Sequence, residues 1–139
     1  MSRRRVLDTN RLIAHWRRSK KRPLAEYSRA DVAAWARQLI EMDGTSATLT
    51  PVVIEFLCRV MSPHELELSR AFLDVFDVID QGEIRAEDWA LARRYAAWIP
   101  RDCKSRDFAD CLIAAIAKRL DYSLLSSDRD LQRRSGKTP

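Results

Sequence analysis

Apolar residues recur along most of the chain at helical spacing, interrupted by short β-branched runs. In "SRADVAAWARQLIEM", Val32, Trp35, Ala36, Leu39 and Ile40 fall at i, i+3, i+4, i+7 and i+8, which is one face of a helix. Ser28 precedes it as an N-cap, and Asp31 follows three residues on as the partner of a capping box. Thr50-Pro51 and Ser62-Pro63 each join an N-cap residue to a proline suited to the first helical position. Helices are therefore predicted in "VVIEFLCRVM" and "HELELSRAFLDVF". "RAEDWALARRYAAWI" puts Trp89, Ala92, Tyr95, Ala96 and Ile99 on one stripe and stops at Pro100. "DFADCLIAAIAKRL" is the clearest helix, with Phe108, Cys111, Leu112, Ala115 and Ile116 facing inward. A further helix starts with "RLIAHW" after Asn10 and runs into "RRSKKRP", where charge and Pro23 predict a solvated loop.

Between these lie four strand candidates: "RVL", "ATL", Phe76 to Ile79, and "YSLLSS". Strands alternate with helices and never pair through a tight hairpin. That pattern predicts an α/β fold with a parallel sheet and helices on its faces. No repeat or linker divides the chain, so residues 1–139 are expected to form one domain, with a polar, basic tail from about residue 132 onward.

Charge adds a partner class. Lys and Arg number 25 against 20 acids, a net charge of +5, which favours a polyanion such as nucleic acid. Cys58, Cys103 and Cys111 are scattered and lack a CxxC pair, and there are only two histidines, so zinc and a disulfide framework are not expected. No stretch approaches the roughly 18 apolar residues of a membrane span, and the expected compartment is the reducing cytoplasm.

The acids are placed unusually. Asp8 directly follows "RVL", and Asp128 follows "YSLLSS", so both are expected at the carboxyl edge of a parallel sheet, where ligands bind. Asp107 and Asp110 open the helix before the last strand, and Glu55 lies one turn into the helix after "ATL". All of these return to the same edge. Converging carboxylates repel unless a cation neutralises them, and hard oxygen donors suit Mg²⁺ or Mn²⁺. Such ions screen a phosphodiester and activate water for its hydrolysis, while basic residues outside the pocket hold the rest of a polynucleotide.

"VLDTN", "TPVVIEFL", "DCLIAAIA" and "LLSSDRDL", in that order from Val6 to Leu131, resemble the PIN domain, and more narrowly the VapC-type toxin ribonucleases of type II toxin–antitoxin modules. The resemblance implies an α/β/α sandwich with a central parallel sheet. It also implies endonucleolytic RNA cleavage by a metal-activated water, leaving 5′-phosphate and 3′-hydroxyl ends. By position, Asp8, Glu55, Asp110 and Asp128 match the family's catalytic and metal-binding acids. Thr9 and Asn10 match polar positions supporting the first acid, and Ser127 stands where the family often has Ser or Thr; Asp107 and Asp130 are additional acids near the set. The family further implies a homodimer and a cognate antitoxin whose C-terminal segment blocks the acidic site.

Each residue also has a plainer reading. Asp8 and Asp107 suit helix N-caps, and Glu55 suits a helix surface, although "VVIEFL" surrounds it with apolar neighbours. Arg17, Arg18, Lys20, Lys21 and Arg22 suit either a solvated loop or contact with RNA. His15 and His64 read as surface or boundary residues, and the four tryptophans as core or interface packing. Two rival functions remain open. One is an RNA-binding or scaffolding module with little catalysis. The other is a phosphohydrolase of the haloacid dehalogenase type, which needs a second acid where this chain has Asn10.

Overall fold

A computed structural model describes residues 4–98 and 107–125. Its elements are β1 (Arg5–Leu7), α1 (Thr9–Ser19), a 3-10 turn (Leu24–Glu26), α2 (Arg29–Asp43), β2 (Ala47–Thr48), α3 (Thr50–Cys58), α4 (Pro63–Leu73), β3 (Asp77–Val78), α5 (Ala86–Ala97), α6 (Phe108–Arg119) and β4 (Ser123–Leu125). The α/β class and the parallel strands are as the alternation predicts. β1 runs parallel to β4, with Val6 opposite Leu124, and β2 runs parallel to β3, with Thr48 opposite Val78.

Among the described residues, the expected continuous sheet is instead two ladders joined by side chains. At the seam, the Thr45 hydroxyl donates to the Arg5 carbonyl at 2.8 Å, and the Thr48 hydroxyl donates to the Leu7 carbonyl at 3.1 Å. Backbone acceptors facing β2 are thereby satisfied by hydroxyls rather than by amides. Gly44 makes the preceding turn possible: it ends α2 at φ +69°, a left-handed conformation that costs glycine nothing, and its N–H donates to the Ile40 carbonyl.

An aromatic cluster anchors one part of the core. Trp16 of α1 meets Trp35, Phe56 and Phe72 edge-on at centroid distances of 5.2–5.6 Å, tying α1 to α2, α3 and α4. In α6, Cys111 to Ala117 are all buried, as expected for a helix that is apolar all round and packed on several faces. Arg119, at the end of α6, donates to Asp88 of α5 at 2.6 Å, and these two helices lie against each other.

The capping box of α2 forms as predicted: the Asp31 N–H donates to the Ser28 hydroxyl, and the Ser28 N–H donates to the Asp31 carboxylate. Several other expectations are corrected. Leu49, not Thr50, is the N-cap of α3, because Thr50 is held from outside the helix (below). Arg17 and Arg18 belong to the last turn of α1, where their charge suits the helix dipole, so only residues 20–23 form a loop. That loop is fastened rather than merely solvated: the N–H groups of Lys21 and Arg22 both donate to the Tyr27 hydroxyl. His15 is buried rather than on the boundary, paired with the Trp35 carbonyl at 2.8 Å. Phe108, expected inward, is 73% exposed, and on the stripe of α5 Trp89 is 43% exposed and Ala96 is exposed while Ala92 and Tyr95 are buried. Ile99 and Pro100 lie outside the described residues. Among the described residues, no helix is long and apolar enough to cross a membrane.

Candidate active site

Asp8 extends β1 by one residue, since its N–H donates to the Leu125 carbonyl of β4 at 3.1 Å. Its backbone then starts α1: the Asp8 carbonyl accepts from the N–H groups of Arg11 and Leu12. The side chain, however, makes no capping bond, although Asp8 occupies the N-cap position with only 1% of its surface exposed. A carboxylate that stays buried without closing the helix end is explained poorly by capping. Thr9 beside it is buried too, and its hydroxyl has no hydrogen-bond partner among the described residues. Asn10 is exposed on the first turn of α1.

Glu55 reaches the same edge from α3. Pro51, Val52 and Phe56 bury one side of that helix and leave Glu55 half-exposed on its flank. The start of α3 is held by a residue that the sequence did not single out. Asp80, buried at the end of β3, accepts from the Thr50 N–H at 2.9 Å, from the Thr50 hydroxyl at 2.5 Å and from the Gly82 N–H at 3.1 Å. A legible signal existed: Asp80 ends a β-branched strand much as Asp8 ends β1.

The third wall is the N-terminus of α6. Asp107 is its N-cap, accepting from the Asp110 N–H at 2.9 Å. Asp110 sits half-buried in the first turn, and its carboxyl pKa is pushed from an ordinary 3.8 up to about 7. Burial is the largest cause, followed by repulsion from Asp107, Asp8 and Glu55, and a hydrogen bond with the Asp107 backbone pulls it partly back. The folded chain thus brings Asp8, Glu55 and Asp107 close enough for their charges to act on Asp110.

These acids are not packed into a closed cage. Among the described residues, no three His, Cys, Asp or Glu side chains are grouped tightly enough to form a metal site. Asp128, Ser127 and Asp130, which follow β4, lie outside the described residues. The donor set itself fits a hard divalent cation: it is wholly carboxylate, and Asp107, Asp8 and Glu55 raise the cost of ionising Asp110, which a cation would relieve. The basic residues Arg17, Arg18, Lys20, Lys21 and Arg22 are exposed but not part of this cluster. Arg17 lies nine residues along α1 from Asp8, about 14 Å at the rise of an α-helix. His15 lies inside the core and His64 is tied to the Leu24 carbonyl, so neither joins the acids.

No curated protein and no solved structure matches the chain. A family model does: that of the PIN domain, over residues 5–137. The match runs from the first residue of β1 through all the acids named above, and the chain belongs to the PIN domain family, whose members are in general nucleases.

Proposed function

We propose that the protein is a Mg²⁺- or Mn²⁺-dependent endoribonuclease, the toxin component of a type II toxin–antitoxin system. The observation that supports this reading is that the charges of Asp8, after β1, and Glu55, on α3, both act on Asp110 at the start of α6. Asp8, Glu55 and Asp110, with Asp128 after β4, are the residues that hold the ion. When bound, such an ion neutralises the carboxylates, polarises a phosphodiester and makes water a better nucleophile at neutral pH.

The chain's own residues do the rest. Asp8 is fixed by the β1–β4 ladder and buried, which suits an anchor that does not move during the reaction. Asp107 caps α6 and so orients Asp110, while Thr9, Asn10, Ser127 and Asp130 support the neighbouring acids. A carboxylate of the set takes the proton of the attacking water. Arg17, Arg18, Lys20, Lys21 and Arg22 hold RNA phosphates away from the cut. As a toxin the protein acts in the cytoplasm as a homodimer of single-domain chains, and the C-terminal segment of a cognate antitoxin blocks the acids.

The test is purified protein incubated with total RNA, with Mg²⁺ or with EDTA, beside Asp8→Ala and Asp110→Ala, with the new ends mapped. The reading predicts metal-dependent cuts bearing 5′-phosphates, lost in both variants, and growth arrest on expression that Asp8→Ala relieves. Cleavage that survives EDTA or either substitution contradicts it. RNA binding without cleavage in the wild type would favour the scaffold reading instead.

A further inference from the structure

A cavity of about 200 Å³ opens between α5 and α6, beside the acidic cluster. It is lined by Trp89, Ala92 and Arg93 of α5 and by Asp107, Phe108 and Cys111 at the start of α6. Asp107 belongs to both places: it lines this cavity, and its charge acts on Asp110. Cavity and candidate active site are therefore continuous through one residue. The volume is below the roughly 300–1,000 Å³ of sites for drug-sized ligands, which suits a small planar group rather than a whole metabolite.

The aromatic pair at this cavity is the unusual feature. Phe108 is 73% and Trp89 43% exposed, although both are large apolar side chains on helices with buried faces. Their ring centroids are 5.9 Å apart with the planes tilted by 42°. A base sandwiched between two rings needs about 6.8 Å, two stacking steps of 3.4 Å, and parallel planes. Insertion between the rings is thus ruled out, but stacking on their open faces is not. Arg93 lines the same cavity and forms no ion pair with a described residue, leaving a guanidinium for a phosphate.

We infer that this cavity is a nucleobase subsite: a base of a single-stranded polynucleotide stacks on the open face of the tilted Trp89–Phe108 pair, Arg93 meets its phosphate, and the adjoining phosphodiester is thereby led past Asp107 to the acids. Exposed aromatics beside a cation are how proteins grip unpaired strands without reading much sequence. The inference takes its ligand class from the nuclease reading above, but it is tested by binding rather than by cleavage.

The experiment titrates short single-stranded oligoribonucleotides into the full chain in Ca²⁺ and follows tryptophan fluorescence and affinity. Matched oligomers carry one abasic position, and the thermal midpoint of every variant is recorded. The wild type is expected to be quenched. Trp89→Phe should keep its affinity and lose much of the quenching, because it retains a ring but removes the reporter. Trp89→Ala and Phe108→Ala should bind about 5- to 100-fold more weakly, and the loss should shrink against the abasic oligomer. Equal binding by folded Trp89→Ala, Phe108→Ala and wild-type chains overturns the inference, as does a wild type that binds no oligomer. An abasic strand bound as tightly as the intact one also overturns it, and assigns the ring pair to another occupant such as a protein side chain. Binding and quenching as expected, with no cleavage in Mg²⁺, leaves the subsite standing and removes the nuclease reading. Cleavage with unaltered binding in both alanine variants removes the subsite alone.

Discussion

Asp80 holds Thr50: a buried carboxylate at the end of β3 accepts both the N–H and the hydroxyl of the first residue of α3, at 2.9 and 2.5 Å. The bond fixes where α3 leaves the sheet, and α3 carries Glu55. Asp80→Ala would strand the Thr50 and Gly82 donors as well as remove the clamp. It is expected to cost about 2–3 kcal/mol, measured by urea denaturation. If Asp80 acts through Glu55, Asp80→Asn should recover much of the stability and lower kcat more than it raises KM. Equal kcat in Asp80→Asn and wild type would confine Asp80 to stability.

Asp110 makes the metal-free protein sensitive to pH. In the unfolded chain its carboxyl ionises near 3.8, whereas the fold holds it protonated to about 7. Between those values the folded state binds more protons than the unfolded one, so stability is present at low pH and falls as pH rises through this window. A shift of this size is equivalent to at most about 4 kcal/mol, and the partial exposure of Asp110 reduces it to about 1–2 kcal/mol. In EDTA, Asp110→Asn should therefore be more stable than wild type at pH 8 and about equal to it at pH 4. Mg²⁺ should raise the wild-type Tm at pH 8 and leave that of Asp110→Asn nearly unchanged. A wild type no less stable than Asp110→Asn at pH 8 would refute the repulsion.

His15 works in the opposite direction. Its Nε2 pairs with the Trp35 carbonyl, while Nδ1 is buried with no hydrogen-bond partner among the described residues. Burial is the main cause holding its pKa below the ordinary 6.5, with Arg18 and Arg11 adding to it and the Trp35 carbonyl and Asp43 opposing. Below pH 6.5 the unfolded chain takes up a proton that the folded chain resists, so stability is present above that pH and lost as pH falls. Wild type should lose more stability between pH 7.5 and pH 5 than His15→Gln does, read by urea midpoints. Because the windows of His15 and Asp110 overlap, the two single variants and the double variant separate their opposing slopes.

Much of this architecture is legible from local chemistry alone. The capping box at Ser28 and Asp31, the apolar run of α6 and the acids ending β1 and opening α6 depend on neighbours in sequence, and each forms where periodicity and residue type put it. What was not legible depends on distant contacts. The Thr50-Pro51 pair reads as a cap because nothing local reveals that Asp80, thirty residues on, binds Thr50 first. His15 reads as a surface residue because the Trp35 carbonyl that satisfies it lies on another helix. Phe108 reads as core, and Trp89 as core or interface, because spacing records which face a residue shares, not whether another element covers that face. Asp128, Ser127 and Asp130, by contrast, are known only from sequence, and their part in the site is a proposal.

The central claim is that Asp8, Glu55 and Asp110 form one cation site, and Mn²⁺ binding read by electron paramagnetic resonance tests it most directly. Titration of free Mn²⁺ into wild type, Asp8→Asn, Glu55→Gln and Asp110→Asn, each confirmed folded by its thermal midpoint, compares the acids without requiring a substrate. The account predicts saturable binding by the wild type, weakened at least about tenfold in every variant because each removes one charge from a shared site. Wild-type affinity retained in Asp8→Asn or in Asp110→Asn would contradict it.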